Sequence, residues 1–368
     1  MSRKPSPKPR FRILRMLLIC LVLFVVAIGV LAYFTAGTYT RPFIDASGNL
    51  IPNAIAEERS VMLGGVEQYV LMRGKNRQAP LLVFVHGGPG ASETPFLRTH
   101  NAALEEDFVV VYWEQRGAVH SYDPESDLSK ITIDRLTKDL GELINVLLVE
   151  FGQEKVLLIG HSWGTVLALE HVAAHPETVA SYIAISQTTN QADSDKEGYE
   201  WALARARESE DEEAIQRLEA IGYPPYTIEQ FITQRRAVSQ FGGTFMDGSS
   251  DLELAFSMIR TDEFSWPDLI TFVQGTDSSG AALWPEQKNY NAYQRHPSID
   301  VPIVMVMGRH DKVISPTLGK QYFKVLEAPE KELIWFENSA HGPPFEEPQK
   351  FNDLVRQTAR RLGLLKSP

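Results

Sequence analysis

The sequence predicts an α/β fold, with a mostly parallel, doubly wound sheet, a helical cap insertion and one N-terminal transmembrane helix before them. Short uncharged runs rich in β-branched residues alternate with stretches whose apolar residues recur every three or four positions. This alternation indicates βαβ units. It breaks once, between about residues 187 and 298, where we expect the cap. A separate uncharged stretch near the start predicts the membrane helix.

Residues 16–34 read MLLICLVLFVVAIGVLAYF and carry no charge. A helix needs roughly 20 apolar residues to cross a membrane. Because basic residues precede this stretch, we expect a cytoplasmic basic tail at 1–15, a signal anchor at 16–36 and a single-pass protein whose remainder is extracytoplasmic. The alternative is a secreted protein, released by signal-peptide cleavage near Ala32 or Gly37, although such peptides usually have only about 7–15 apolar residues.

Charge and cysteine content exclude several classes of protein. Six of the 36 basic residues lie in the first 15 positions, so the remaining chain has 30 basic against 47 acidic residues, a formal net charge of −17. Such an acidic body predicts no nucleic-acid partner, because phosphate binding needs clustered Lys and Arg. The one cysteine, Cys20, lies inside the uncharged stretch. This excludes an intrachain disulfide and a cysteine-based metal site.

The sheet is predicted from a hairpin and a series of apolar runs. After a linker at 37–59, the segments 61–63 and 68–73 flank a Gly-Gly pair, a hairpin signal. The later runs are apolar on both faces, which is typical of buried parallel strands. They cover residues 81–86, 108–113, 156–160, 181–185, 303–308 and 333–336.

The predicted core of the folded domain is discontinuous. It covers residues 60–186 and 299–368, and helical periodicity is clearest over 133–147 and 351–362. The segment 187–298 is polar and mostly helical in pattern. An insertion of this size between two strands predicts a helical cap over the strand ends.

The strongest chemical signal is the sequence GHSWG at 160–164, directly after an apolar run and before a helical pattern. A serine in such a motif lies on a sharp strand-to-helix turn, and the flanking glycines avoid collisions with the backbone. The turn exposes the hydroxyl above the sheet. Ser162 is therefore the predicted nucleophile.

A glycine-rich loop, HGGPG at 86–90, follows the run at 81–86. Glycines let backbone N–H groups face a substrate oxygen on which negative charge develops, and one such donor is worth roughly 3–4 kcal/mol. In this arrangement the donors are the residue after the nucleophile and one from the glycine loop. We expect Trp163 and Gly88, with Gly87 as the neighbour most easily confused with Gly88.

Chain order identifies a base and an acid for the serine. The expected order is nucleophile, acid, histidine. Asp311 is the only aspartate between the run at 303–308 and the next run, and His341 is the only histidine after it. His341 would take the Ser162 proton, and Asp311 would fix its tautomer. His310 adjoins Asp311 and could imitate the base, but chain order argues against it.

With these motifs the sequence resembles the proline iminopeptidase-like branch of the α/β-hydrolases. The matching pieces are HGGPG at 86–90, QRG at 115–117, GHSWGT at 160–165, GRHD at 308–311 and AHG at 340–342. The resemblance spans roughly residues 61–362. It implies a capped hydrolase that releases N-terminal residues, often proline, from short peptides, and it implies no metal or organic cofactor.

The sequence departs from that family in two places. The family reads Asp-Gln-Arg-Gly, then a small residue, Gly and Ser, whereas residues 114–121 read EQRGAVHS. The cap also shows no clear match to the acidic cluster that binds the substrate α-amine. The sequence YEW at 199–201 is suggestive only, so the substrate-binding residues stay open.

The predicted function is therefore a Ser-His-Asp serine hydrolase, peptidase-like, that acts on a small-molecule or short-peptide substrate and is held to the membrane by its N-terminal helix. The alternative is a carboxylesterase for small or lipid-derived esters, because the same triad serves both chemistries. A third hypothesis is a non-catalytic receptor with this fold. A cap carboxylate would favour the peptidase, and an apolar acyl pocket would favour the esterase.

Overall fold

The structure, a computed structural model, describes residues 9–35, 38–248 and 257–366, with side chains in the first stretch for 15–30 only. The strands are β1 (Ile55–Leu63), β2 (Val66–Gly74), β3 (Leu81–Val85), β4 (Val109–Trp113), β5 (Val156–His161), β6 (Val179–Ile185), β7 (Ile303–Gly308) and β8 (Lys331–Phe336). Within these described stretches they form one eight-stranded sheet in the order β1-β2-β4-β3-β5-β6-β7-β8. Of these strand pairs, only β1–β2 and β2–β4 are antiparallel. The predicted mostly parallel sheet is confirmed.

The hairpin is longer than the sequence predicts. β1 begins at Ile55, which pairs with Gly74 across the full length of β2. The turn residues Gly64 and Gly65 have φ values of 55° and 79°, as a two-residue hairpin turn of the right twist requires. Residues 57–59 are charged and lie on the edge strand, so they lack the apolar pattern by which the other strands were identified.

Helices cover both faces of the sheet. The α-helices among the described residues are α1 (Pro9–Thr35), α2 (Thr94–His100), α3 (Ile133–Phe151), α4 (Gly164–Ala174), α5 (Gln191–Glu208), α6 (Glu212–Ile221), α7 (Ile228–Gln240), α8 (Trp266–Gln287), α9 (Ala292–Arg295), α10 (Pro316–Val325), α11 (Pro343–Glu346) and α12 (Pro348–Arg361). Alternate strand residues point to opposite faces. Val83 and Val85 pack with α3, α4 and α10, whereas Leu82 and Phe84 pack with α2 and α12. The doubly wound arrangement is therefore confirmed.

Between β6 and β7 the chain forms helices rather than strands. Helices α5, α6 and α7 share a small apolar core of their own, centred on Tyr199, Leu218 and Val238. Helix α8 lies against the loop that follows β4, because Ser279 Oγ donates to the carbonyl oxygen of Gly117 at 3.3 Å. These helices occupy the segment that the sequence assigns to the cap, of which residues 249–256 lie outside the described part.

The transmembrane part of the prediction is not supported. Helix α1 covers residues 9–35. Among the residues that the structure describes, however, no helix has the length and apolar character that a membrane crossing needs. Residues 1–8 of the predicted basic tail and residue 36 of the predicted anchor lie outside those residues.

Candidate active site

Ser162 lies on the turn between β5 and α4, with a φ of 52°. A left-handed backbone at a serine is uncommon, and here the close packing of the turn imposes it. A Cβ at Gly160 would lie 2.9 Å from the carbonyl oxygen of Gly164, and a Cβ at Gly164 would collide with the carbonyl oxygen of Val85 on the neighbouring strand. The Ser162 N–H donates to the Ile185 carbonyl at 2.9 Å, which fixes the turn between two strands.

His341 links Ser162 to Asp311. Its Nε2 lies 2.8 Å from Ser162 Oγ, and its Nδ1 lies 2.8 Å from Asp311 Oδ2. The histidine follows β8 and the aspartate follows β7, so the parallel strands bring their carboxyl ends to one edge. The structure thus brings together the three residues that the sequence selected, whereas His310 is exposed to solvent.

The Asp311 carboxylate is buried and held as an anion. Its Oδ1 accepts the backbone N–H groups of Val313 at 2.8 Å and Ile314 at 2.9 Å. Burial alone would raise its pKa, but the His341 imidazole and these hydrogen bonds outweigh burial and lower the pKa below the usual range. A charged Asp311 therefore directs Nδ1–H of His341 toward itself and leaves Nε2 free to accept the Ser162 proton.

The glycine loop lies close to Ser162, since a Cβ on Gly87 would come within 3.3 Å of the Ser162 Cβ. The Gly87 N–H is already used, because it donates to Glu93 Oε2 at 3.0 Å. In contrast, the N–H groups of Gly88 and Trp163 have no backbone acceptor within the described part of the chain. These two are the donors that the sequence selected for the oxyanion hole.

His86 shapes this loop. Its Nδ1 lies 2.7 Å from the Gly87 carbonyl oxygen, and its Nε2 accepts the Gln115 N–H at 3.1 Å. The ring is therefore neutral, in agreement with a pKa that burial lowers. Gln115 in turn accepts the indole N–H of Trp163 at 3.0 Å. These contacts join the glycine loop to the turn that carries Ser162.

A buried ion pair lies beside Ser162, and the sequence alone does not predict it. His161 Nδ1 lies 2.6 Å from Glu93 Oε1, and His161 Nε2 lies 2.8 Å from the His341 carbonyl oxygen. Because both partners are acceptors, both ring nitrogens donate and the ring is an imidazolium. Burial opposes this charge, but Glu93 outweighs it and raises the pKa of His161. The available signal was a histidine next to the nucleophile, which does not by itself identify Glu93.

A second ion cluster lies in the segment 114–121, where the sequence departs from the family. His120 Nδ1 lies 3.0 Å from Glu114 Oε2, and its Nε2 lies 3.4 Å from Asp268 Oδ1 on α8. Although burial lowers the pKa of His120, the two carboxylates raise it to about 10, so the ring is charged at neutral pH. His120 therefore links the loop after β4 to α8.

A cavity of about 400 Å³ opens at His341. Gly88 and Pro89 form its floor together with His341, and α7 and α8 form two of its walls. Residues of the YEW segment at 199–201 do not line it. Its wall residues on the helices are Ile228, Phe231, Ile232, Arg235, Arg236, Ser239, Thr276, Asp277, Gly280 and Gln287. Among the residues with described side chains, no group of three or more His, Cys, Asp or Glu is arranged to hold a metal ion.

Comparisons with known proteins agree with this architecture. The family profile described as "alpha/beta hydrolase fold" matches residues 80–220. A probable aminopeptidase, YbaC, of Bacillus subtilis is 34% identical over 310 residues, which cover 83% of this chain and 97% of that protein. A proline iminopeptidase of Heyndrickxia coagulans is 26% identical over 322 residues, which cover 86% of this chain and 97% of that protein.

Among solved structures, a proline iminopeptidase-related protein of Thermus thermophilus superposes with a TM-score of 0.62 at 20% identity. The match covers 84% of this chain and 100% of that one, and at this identity it shows the fold. The extent of the sequence match to the Bacillus relative shows the family. The chain belongs to the α/β-hydrolases, in their proline iminopeptidase-like branch, and is a hydrolase.

Proposed function

We propose that the chain is a serine hydrolase in which Ser162 is the nucleophile, His341 the general base and Asp311 its orienting carboxylate. One observation carries the proposal, namely that His341 contacts both partners at 2.8 Å through its two ring nitrogens. This is the arrangement of a nucleophile, a base and an orienting third group that acyl transfer requires. The left-handed turn at Ser162 presents the hydroxyl to His341, which lines the cavity.

The reaction follows from these positions. Ser162 Oγ attacks the substrate carbonyl carbon while its proton moves to His341 Nε2. The N–H groups of Gly88 and Trp163 would stabilise the resulting oxyanion. His341 then gives the proton to the leaving nitrogen, the carbon–nitrogen bond breaks, and an acyl-serine remains. Water, deprotonated by His341, attacks the acyl carbon, and the acid and the free serine are released.

For the substrate, we propose peptidase-like release of N-terminal residues from short peptides. The relatives named above include a probable aminopeptidase and a proline iminopeptidase. An aminopeptidase must pair the substrate ammonium with a carboxylate. In the cavity, Asp277 on α8 supplies one, and no ion pair to it exists within the described residues. Asp277 is therefore the candidate partner of the α-amine.

A carboxylesterase is the second candidate, because one wall of the cavity is apolar. Ile228, Phe231 and Ile232 lie on one face of α7 and line the cavity. This wall could hold an acyl chain as readily as a prolyl ring. The two functions therefore differ in whether Asp277 or this wall dominates substrate choice.

Initial rates on the full-length protein in mild detergent test both candidates. The substrates are prolyl- and alanyl-nitroanilide, N-acetyl-alanyl-nitroanilide and nitrophenyl butyrate, each with wild type and Ser162→Ala. We expect cleavage of the free-amine anilides that depends on Ser162 and is lost on acetylation. Hydrolysis of the butyrate alone would reject the peptidase in favour of the esterase.

The Asp277→Asn variant tests the amine partner. A hydrogen bond to a charged group contributes about 1.5–3 kcal/mol, so kcat/KM for free-amine anilides should fall roughly 10- to 150-fold. The exposed Asp300, outside the cavity, provides the matched Asp300→Asn control. Equal loss on the ester, or no loss on the anilides, would remove Asp277 from this role.

A further inference from the structure

The cavity at His341 contains two arginines on consecutive positions of α7. Arg235 and Arg236 both line it, and Asp277 on α8 is the carboxylate that lines it. The protein as a whole carries a formal net charge of −11. Two cations in the cavity that His341 lines are therefore opposite in sign to the net charge of the molecule, and they require a specific explanation.

The hydrogen-bond donors of the Arg235 guanidinium are only partly paired. Its Nη2 lies 2.9 Å from Asp195 Oδ1, which also accepts a hydrogen bond from Gln191 at 2.8 Å. Its guanidinium lies over the Phe231 ring at 4.7 Å. Its Nη1 is buried and has no hydrogen-bond partner within the described residues. A buried N–H without an acceptor is costly, and the cost disappears when a ligand supplies the acceptor.

Arg235 and Asp195 do not stabilise each other fully. Burial lowers the pKa of Arg235, and burial raises the pKa of Asp195 to about 6 despite the adjacent guanidinium. Both shifts run toward the neutral form, as expected for a buried pair whose desolvation outweighs its mutual attraction. A further anion beside Arg235 would therefore be favourable.

Arg236 is free to bind a ligand. It is exposed at the cavity wall, and it makes no ion pair or hydrogen bond within the described stretches of the chain. Neither arginine pairs with Asp277, so positive charge on α7 and negative charge on α8 stay separate across the cavity. A ligand that bridges the two walls must carry charges of opposite sign at its two ends.

We infer that the substrates are short zwitterionic peptides, whose C-terminal carboxylate is bound by Arg235 and Arg236 while the N-terminal ammonium faces Asp277. This inference rests on the proposed peptidase function. The planar guanidinium matches a carboxylate in a two-point hydrogen bond. A dipeptide or tripeptide spans at most about 7–11 Å when extended, and a cavity of about 400 Å³ lies near the small end of the range for ligand sites.

The test compares alanyl-alanine with alanyl-alaninamide, which differ only in the terminal carboxylate. We expect wild type to show a kcat/KM at least roughly 10-fold higher for the free acid, mainly through KM. In Arg236→Gln this ratio should approach one. The exposed Arg205, on α5 and paired with Glu208, gives the control Arg205→Gln, which should keep the wild-type ratio.

A test of Arg235 needs a variant that also removes the charge of its ion-pair partner Asp195. Arg235→Gln alone leaves Asp195 without its cation, so Arg235→Gln with Asp195→Asn is the second variant, and it should also lose the preference for the free acid. Equal cleavage of acid and amide by wild type, with alanyl-nitroanilide still cleaved, would overturn this inference alone. No Ser162-dependent cleavage of any free-amine substrate would overturn the proposed peptidase and this inference with it.

Discussion

Replacing Glu93 by Gln perturbs the ion pair behind the nucleophile without changing its shape. The Glu93 carboxylate accepts His161 Nδ1–H at 2.6 Å and the Gly87 N–H at 3.0 Å. Through His161 Nε2 it also supports the His341 carbonyl. One carboxylate therefore holds the glycine loop, the serine turn and the base loop together, and we expect its charge to matter for both stability and activity.

The size of the effect follows from the two hydrogen bonds. A bond to a charged group contributes about 1.5–3 kcal/mol and a neutral one about 0.5–1.5, so Glu93→Gln should lower the free energy of unfolding by about 2–3 kcal/mol. The amide NH₂ would also face a backbone or ring N–H. Because Gly87 precedes Gly88, the predicted oxyanion donor should shift, and the hydrolysis rate should fall roughly 10- to 100-fold.

The pH dependence of stability gives a second test of the ion pair between Glu93 and His161. Burial raises the pKa of Glu93, but His161 outweighs it and the pKa is lowered, while the pKa of His161 is raised. Because the pKa of Glu93 is lowered, this group stabilises the folded state at pH values above the pKa of an unfolded carboxyl group. That stabilisation is lost as pH falls through the folded pKa. Because the pKa of His161 is raised, this group stabilises the folded state at pH values below the pKa of an unfolded histidine. That stabilisation is lost as pH rises through the folded pKa. The stability difference between wild type and Glu93→Gln should therefore shrink at both extremes.

Urea unfolding between acid and alkaline pH, with nitroanilide hydrolysis on the same samples, measures both effects. Glu337→Gln is the matched control, since Glu337 pairs with Arg309 at the surface and should change neither quantity measurably. Wild-type stability and wild-type rates in Glu93→Gln at neutral pH would refute the assignment of His161 as an imidazolium held by Glu93.

Other substitutions probe the remaining contacts. Asp311→Asn should lower kcat by the order of 10⁴, because the amide misorients the base, whereas His310→Ala should keep wild-type kcat; the reverse result would contradict both assignments. His120→Ala should lower the free energy of unfolding by about 3–5 kcal/mol, since the buried Glu114 and the partly buried Asp268 lose their cation. In wild type, the stabilisation that His120 provides should decline as pH rises through its pKa of about 10. Urea unfolding across that pH range measures this decline, and a free energy of unfolding that does not change with pH there would contradict the assignment. Gly164→Ala should cost about 1–3 kcal/mol and lower activity, because its Cβ would meet the Val85 carbonyl; an unchanged melting temperature would disprove this packing.

The sequence predicts the sheet and the three linked residues well for a physical reason. Buried parallel strands need continuous apolar runs, and the residues that follow such strands meet at one edge. Ser162, Asp311 and His341 each follow such a run, so their meeting could be inferred without coordinates. The start of β1 was missed because an edge strand tolerates charged residues at 57–59.

The ion pairs could not be predicted in this way. Glu93 lies in a loop, and its contact with His161 joins residues distant in sequence, with no periodic pattern at either position. Asp277, Arg235 and Arg236 belong to α7 and α8, and the way these helices pack decides which of their side chains line the cavity. The membrane prediction went further than the structure supports, because it relied on the uncharged stretch at 16–34 and the basic residues before it, whereas no helix among the described residues has the length and apolar character of a membrane span.

The most direct test of the central claim is peptide mapping by mass spectrometry after reaction of the full-length protein with a fluorophosphonate. The account predicts one phosphonyl adduct, on Ser162, formed rapidly in wild type and at least roughly 10³-fold more slowly in His341→Ala. An adduct on another serine, or equal rates of Ser162 modification in the two proteins, would contradict a nucleophile activated by His341.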